Sequence, residues 1–157
     1  LGGFLNYDSA GINRLIHPKR HPMDFSYPLA GLVTILSLFI YMWMAVQIGK
    51  ARGVHNVPAP RSDGPDDFLR VLRVHANTME GLLLFLPALW LFALTIGDLW
   101  AGIVGVIYPI GRIVYAKGYY AAADQRSTGF TIGLISTAIL LLGSLGGLVF
   151  AAFRLYA

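Results

Sequence analysis

The chain has 157 residues, enough for one domain. Only 13% are Asp, Glu, Lys or Arg, against an ordinary share of about 25%, while 56% are apolar and the mean hydropathy is +0.63. That excludes a disordered chain, and the absence of Cys excludes a disulfide scaffold. The formal charge of +4 is not gathered into a basic block, so nucleic-acid binding is excluded too. An integral membrane protein remains.

Residues 1–24 mix Asn, Asp, Arg, Lys, His and Pro, with no apolar run long enough for a signal peptide. They are expected to be a polar tail, either an upstream extension or a remnant not native to the protein. His17 and His21 have a helical metal-ligand spacing, but Pro18 and Pro22 argue against a helix, and a solvated tail is the better reading. Residues 25–157 form the membrane domain. Within it, 25–49, 81–97, 99–111 and 127–153 carry no Asp, Glu, Lys or Arg. A crossing needs about 20 mainly apolar residues. Four spans follow, near 28–49, 69–96, 99–120 and 129–153. A lipid-exposed backbone must satisfy its own hydrogen bonds, so the fold class is all-α, a four-helix transmembrane bundle.

The first connection, Lys50 to Asp67, contains Pro58, Pro60 and Gly64-Pro65, which is loop chemistry. The second is a tight turn at Gly97-Asp98. The third runs through Asp124 and Arg126 to Ser127 and Thr128, either of which is a candidate cap for the last helix. Pro87 and Pro109 should bend their spans. Lys50, Arg52, Arg61, Arg70, Arg73, Lys117 and Arg126 fall on one side. Arg154 and the tail's Arg14, Lys19 and Arg20 fall on the other. The positive-inside rule puts the first group in the cytoplasm and both termini outside.

Span two opens with Arg70, Arg73, His75, Asn77 and Glu80. Arg73, Asn77 and Glu80 are spaced i, i+4, i+7 and share a helical face. Polar groups at membrane depth are costly and face the bundle interior or a wet cavity. An Arg73–Glu80 pair that only fixes packing is the plainer alternative. In span three Arg112, Tyr115 and Tyr119 share a face, and Arg126 follows seven residues after Tyr119. The plainer alternative there is an interfacial aromatic belt with snorkelling Arg, which suits Lys117 and Tyr120 better than Arg112. Together the faces suit a small ligand with carboxylates and an amine; glutathione has that chemistry, with two carboxylates, one ammonium and a thiol. Arg pairs with carboxylate, Glu80 with ammonium, and a guanidinium beside sulfur favours thiolate.

These residues resemble the membrane-associated proteins in eicosanoid and glutathione metabolism, the MAPEG family. The resemblance rests on Arg70-Val-Leu-Arg73-x-His75-x-Asn77-x-x-Glu80, on Arg112-Ile-Val-Tyr115-Ala-Lys-Gly118-Tyr119, and on the lead-in from Gly64 to Arg70. It covers about residues 28–153 in one register. It implies a homotrimer binding glutathione between neighbouring copies near the cytoplasmic side. Arg52, Arg73, His75, Asn77, Glu80, Arg112, Tyr115 and Tyr119 would hold glutathione, and Arg126 would be the catalytic residue that stabilises its thiolate. The implied activity is that of a membrane glutathione S-transferase or peroxidase. It would act on a hydrophobic electrophile or lipid hydroperoxide from the bilayer, with glutathione as co-substrate and no metal.

Gly53 stands where the leukotriene-forming branch has a second Arg, and Gly81 where a Tyr usually follows the motif Glu. Ser127 after Arg126 matches the prostaglandin-E synthase branch at one position. No eicosanoid substrate is assigned. The membrane would be a bacterial inner membrane or the endoplasmic reticulum. A non-catalytic lipid-binding member and a small transporter using Glu80 are the alternatives. Gly143-x-x-x-Gly147 is read as close helix packing, and Trp43, Trp90 and Trp100 as interface or lipid-facing residues.

Overall fold

A computed structural model describes residues 26–157; the polar tail, with His17, His21, Arg14, Lys19 and Arg20, lies outside them. Four crossings are present. The first is α1, Pro28–His55, and the second is α2, Asp66–Thr95. The third is broken into α3, Asp98–Gly105, and α4, Ile107–Ala121. A 3-10 turn, Ala123–Arg126, leads straight into the fourth, α5, Ser127–Tyr156. All four are long and apolar enough to cross a membrane. The second helix packs against every other crossing, while α1 and α5 are the outer helices, studded with exposed residues such as Phe39, Met42, Leu142 and Phe150.

Several helix ends differ from the expected ones. The first helix continues past residue 49 because a helix need not stop where the apolar stretch does. It ends where Asn56 adopts the left-handed conformation (φ 53°, ψ 40°), two residues before Pro58. Neither Ser127 nor Thr128 caps the last helix. The 3-10 turn runs into it directly, and Ser127 Oγ instead donates to the Asp124 carbonyl at 3.2 Å. Pro87 lies within an unbroken α2. Pro109 acts one turn upstream: it offers no N–H to the Gly105 carbonyl and its ring crowds that group, and the third crossing breaks at Val106. Ser136 of α5 donates to the Val104 carbonyl beside this break, at 2.7 Å.

The turn at Gly97 (φ 130°) places Asp98 across from the start of α1. Its Oδ2 and Oδ1 accept the N–H groups of Leu29 (2.9 Å) and Ala30 (2.8 Å). The first turn of α1 contains no acidic residue of its own, so a residue 68 positions away supplies the negative charge favoured there.

Lipid tails are as apolar as the helices, so close contact at small residues does much of the work of association. The pair Gly143 and Gly147 has the packing role expected of it, with Phe92 and Thr95 of α2 filling the space where their side chains would be. The seam between α4 and α5 is tighter. A methyl group on Gly129 would strike the Tyr115 backbone, and one on Gly111 would come within 2.8 Å of Gly133 N. Trp100 is exposed, and Trp43 is half-buried near Tyr120. Trp90 reaches α1 as well, donating from Nε1 to Thr34 Oγ1 at 3.2 Å, so it is also an interhelical tie.

Candidate functional site

The close α4–α5 seam turns one side of α4 inward. Arg112, Tyr115 and Tyr119 are all buried, at 5%, 1% and 8% exposure, which excludes the interfacial-belt reading for them. Arg112 is held by α2: its Nε and Nη2 donate to Thr78 Oγ1 at 3.2 and 2.5 Å, while Thr78 Oγ1 donates to the Val74 carbonyl at 2.7 Å. The guanidinium carbon lies 4.2 Å from the Tyr115 ring centroid, within cation–π range. Asn77 Nδ2 donates to Tyr115 Oη at 2.7 Å. One turn on, Arg126 Nη1 donates to Tyr119 Oη at 3.2 Å, and the Tyr115 and Tyr119 rings meet edge-on.

Two clefts adjoin this row. One, of about 390 Å³, is lined by Asn77, Tyr115, Arg126, Ser127, Phe130 and Thr131. The other, of about 380 Å³, shares Asn77 and Phe130 with it and continues past Glu80, Gly81, Arg112 and Tyr108 to Leu84, Leu134 and Thr137. The two form one groove on the α2–α4–α5 side, rich in polar groups at the Arg126 end and apolar at the other.

Six of the expected residues therefore belong to one structure: Asn77, Glu80, Arg112, Tyr115, Tyr119 and Arg126. Arg73 is exposed and lines a neighbouring cleft of about 280 Å³ with Arg70 and Tyr119. No ion pair joins Arg73 to Glu80 among the described residues, so the packing-pair alternative does not hold; Arg70 pairs with Asp67 instead. Two expected residues share no cleft with this group. His75 stacks on Tyr41 of α1, with ring centroids 4.4 Å apart. Arg52 donates from Nη1 to the Arg61 carbonyl at 2.8 Å, with longer contacts to those of Val57 and Pro58, and lies over the Phe68 ring. Within one chain it ties down the first loop. Beyond it, Arg61 and Asp63 form an exposed pair, and the hydrogen bond from Arg61 holds the Asp63 carboxyl below its usual range.

Sequence reasoning missed two members. Thr78, the acceptor for Arg112, carries no charge and reads as an ordinary helix residue. Tyr108 lies four residues before Arg112 and extends the same face backwards, a signal that was present in the spacing. Among the described residues no group of three or more His, Asp or Glu side chains gathers as a metal site.

The MAPEG family model matches residues 30–146, three of the four crossings and most of the last. The chain belongs to the MAPEG family. This MAPEG chain is 45% identical over 114 residues to an uncharacterised protein of Synechocystis, covering 73% of the chain and 83% of that protein. It is 38% identical over 119 residues to human microsomal glutathione S-transferase 2, covering 75% and 81%. With guinea-pig (Cavia porcellus) leukotriene C4 synthase the identity is 33% over 98 residues, covering 62% and 65%.

Proposed function

We propose that this protein is a glutathione-dependent membrane enzyme, with Arg126 stabilising the glutathione thiolate. The observation that carries the reading is the row Arg112, Asn77–Tyr115 and Tyr119–Arg126 along one groove, polar at one end and apolar at the other. The names of its glutathione transferase relatives support it. Arg52, Arg73, His75, Asn77, Glu80, Arg112, Tyr115 and Tyr119 hold the tripeptide. Arg52 and His75 sit apart from the groove within one chain, which fits a site completed by a neighbouring copy in a homotrimer. The side bearing Lys50, Arg52, Arg61, Arg70, Arg73, Lys117 and Arg126 faces the cytoplasm.

Arg126 is exposed at the groove mouth and anchored by Tyr119 through one nitrogen, so its remaining N–H donors are available to sulfur. The guanidinium favours the thiolate over the thiol, and the thiol proton passes to water. In a conjugation the sulfur attacks an electrophilic carbon, the bond to the leaving oxygen breaks, and that oxygen takes a proton from water. In a peroxide reduction the sulfur attacks the distal oxygen, the O–O bond breaks, and the departing alkoxide takes a proton from water to leave as an alcohol. The resulting sulfenic acid condenses with a second glutathione to the disulfide and water.

Ultraviolet difference absorbance on adding glutathione to the purified protein tests this. Wild type should develop a thiolate band. Arg126→Ala should lose at least about tenfold of it, the equivalent of one pKa unit, while calorimetry still records binding. Arg73→Ala should lose binding itself. Folded wild-type protein that neither binds glutathione nor forms thiolate would overturn the enzyme reading in favour of lipid binding or transport.

A further inference from the structure

Tyr108 is held from three directions. Its ring stacks on Phe85 of α2, centroids 3.9 Å apart and planes 7° off parallel. Gly133 of α5 lies beside the ring, near enough that a methyl there would sit 3.5 Å from Cδ2. Its hydroxyl reaches Gly81 of α2, where a methyl would come within 2.6 Å of Oη. Only 3% of the residue is exposed and it lines the groove, yet its Oη has no hydrogen-bond partner. None of this packing needs the oxygen: a phenylalanine ring would stack on Phe85 in the same way and leave nothing unpaired. A buried hydroxyl without a partner is costly and calls for an explanation.

We propose that Tyr108 is a specificity-determining residue of the groove, its hydroxyl donating a hydrogen bond to an oxygen function on the chain of a membrane-borne lipid substrate, and that Gly81 leaves the hydroxyl the room to do so. The position selects a lipid rather than the tripeptide. Tyr108 lies eleven residues before Tyr119, a rise of about 16 Å along the helix away from the Arg126 end. The groove there is bounded by Leu84 and Leu134, both apolar and exposed on the surface of the single chain. Of the polar groups that line the same cleft, Arg112 is tied to Thr78 and Thr137 donates to the Gly133 carbonyl, whereas the Tyr108 hydroxyl is a donor left without a partner. A side chain larger than hydrogen at position 81 would displace the hydroxyl, so Gly81 and Tyr108 act as a pair. The proposal rests on reading the groove as the place where the hydrophobic co-substrate lies.

The test uses full-length protein in lipid nanodiscs carrying a fluorescent fatty acid, displaced either by octadecanoic acid or by its mid-chain hydroxy derivatives. No glutathione is present, so the result stands whether or not the protein forms a thiolate. Wild type should prefer the best-placed hydroxy derivative by about tenfold. Tyr108→Phe, which removes one oxygen and keeps the ring, should bring that ratio to about one, and Gly81→Ala should do the same by displacing the hydroxyl. A wild type without preference would overturn the proposal, as would a preference that survives in Tyr108→Phe. If a separate calorimetric titration showed that Tyr108→Phe loses glutathione affinity while the lipid preference is kept, the hydroxyl would belong to the peptide and the proposal would be overturned equally.

Discussion

The last helix is held by two glycine seams that differ in kind. Against α4, glycines from both helices bring backbone to backbone: a methyl on Gly129 would strike the Tyr115 main chain, and one on Gly111 would come within 2.8 Å of Gly133 N. Against the end of α2, Gly143 and Gly147 meet only side chains, Phe92 and Thr95. Side chains can turn aside, whereas a backbone in a helix cannot. The first seam also carries the row from Arg112 to Arg126, and the second carries no polar group of the site. The geometry of the groove thus depends on the contact least able to yield.

Gly129→Ala should break that distinction most severely. Forcing a methyl against the Tyr115 backbone should cost about 3 kcal/mol or more and abolish glutathione binding. Denaturant unfolding in detergent and calorimetry measure the two effects. Thr78→Val comes next. It leaves the α4–α5 seam intact but removes the acceptor for both Arg112 hydrogen bonds, and should cost about 1–2 kcal/mol. Because the Arg112 guanidinium is then free to turn, glutathione affinity should fall with little change in helix content by circular dichroism.

Gly143→Ala is the contrasting case. Phe92 must rotate, for about 1 kcal/mol, and the thiolate band of glutathione should stay at its wild-type size. If Gly143→Ala damaged glutathione binding as much as Gly129→Ala, the two seams would not be distinct. The smallest effect belongs to Asp63→Asn in the first loop. The hydrogen bond from Arg61 lowers the Asp63 carboxyl, so any stabilisation is present above its unfolded value of about 3.9 and is lost as pH falls through the lower folded value. The pair is largely solvent-exposed, so thermal melts of variant and wild type should coincide at neutral pH and again below about pH 3.

Much of the site face is legible in the sequence. The i, i+4, i+7 spacing of Arg73, Asn77 and Glu80 and the matching spacing of Arg112, Tyr115 and Tyr119 mark two polar helix faces, because helical period alone decides which residues share a side. It does not decide which residues touch. Arg73 and Glu80 share a face without pairing, Asn77 bonds Tyr115 across helices, and Arg112 turns to the uncharged Thr78. Asp98 reads as turn chemistry and instead holds the start of α1, because a partner 68 positions away leaves no trace in local spacing.

Four uncharged stretches, the middle two reaching spanning length only with the polar residues at their edges, were sufficient to point to four helical crossings, since hydrocarbon leaves an unpaired backbone no alternative. Two polar faces on neighbouring helices suit a ligand with carboxylates and an amine, and the resemblance to the MAPEG family adds glutathione as an expectation. The break at Val106, the glycine contacts that set α5 against α4, and the unpartnered Tyr108 hydroxyl over Gly81 emerged only from packing. They depend on the distances between helices, and those are fixed by the shapes of residues far apart in the chain.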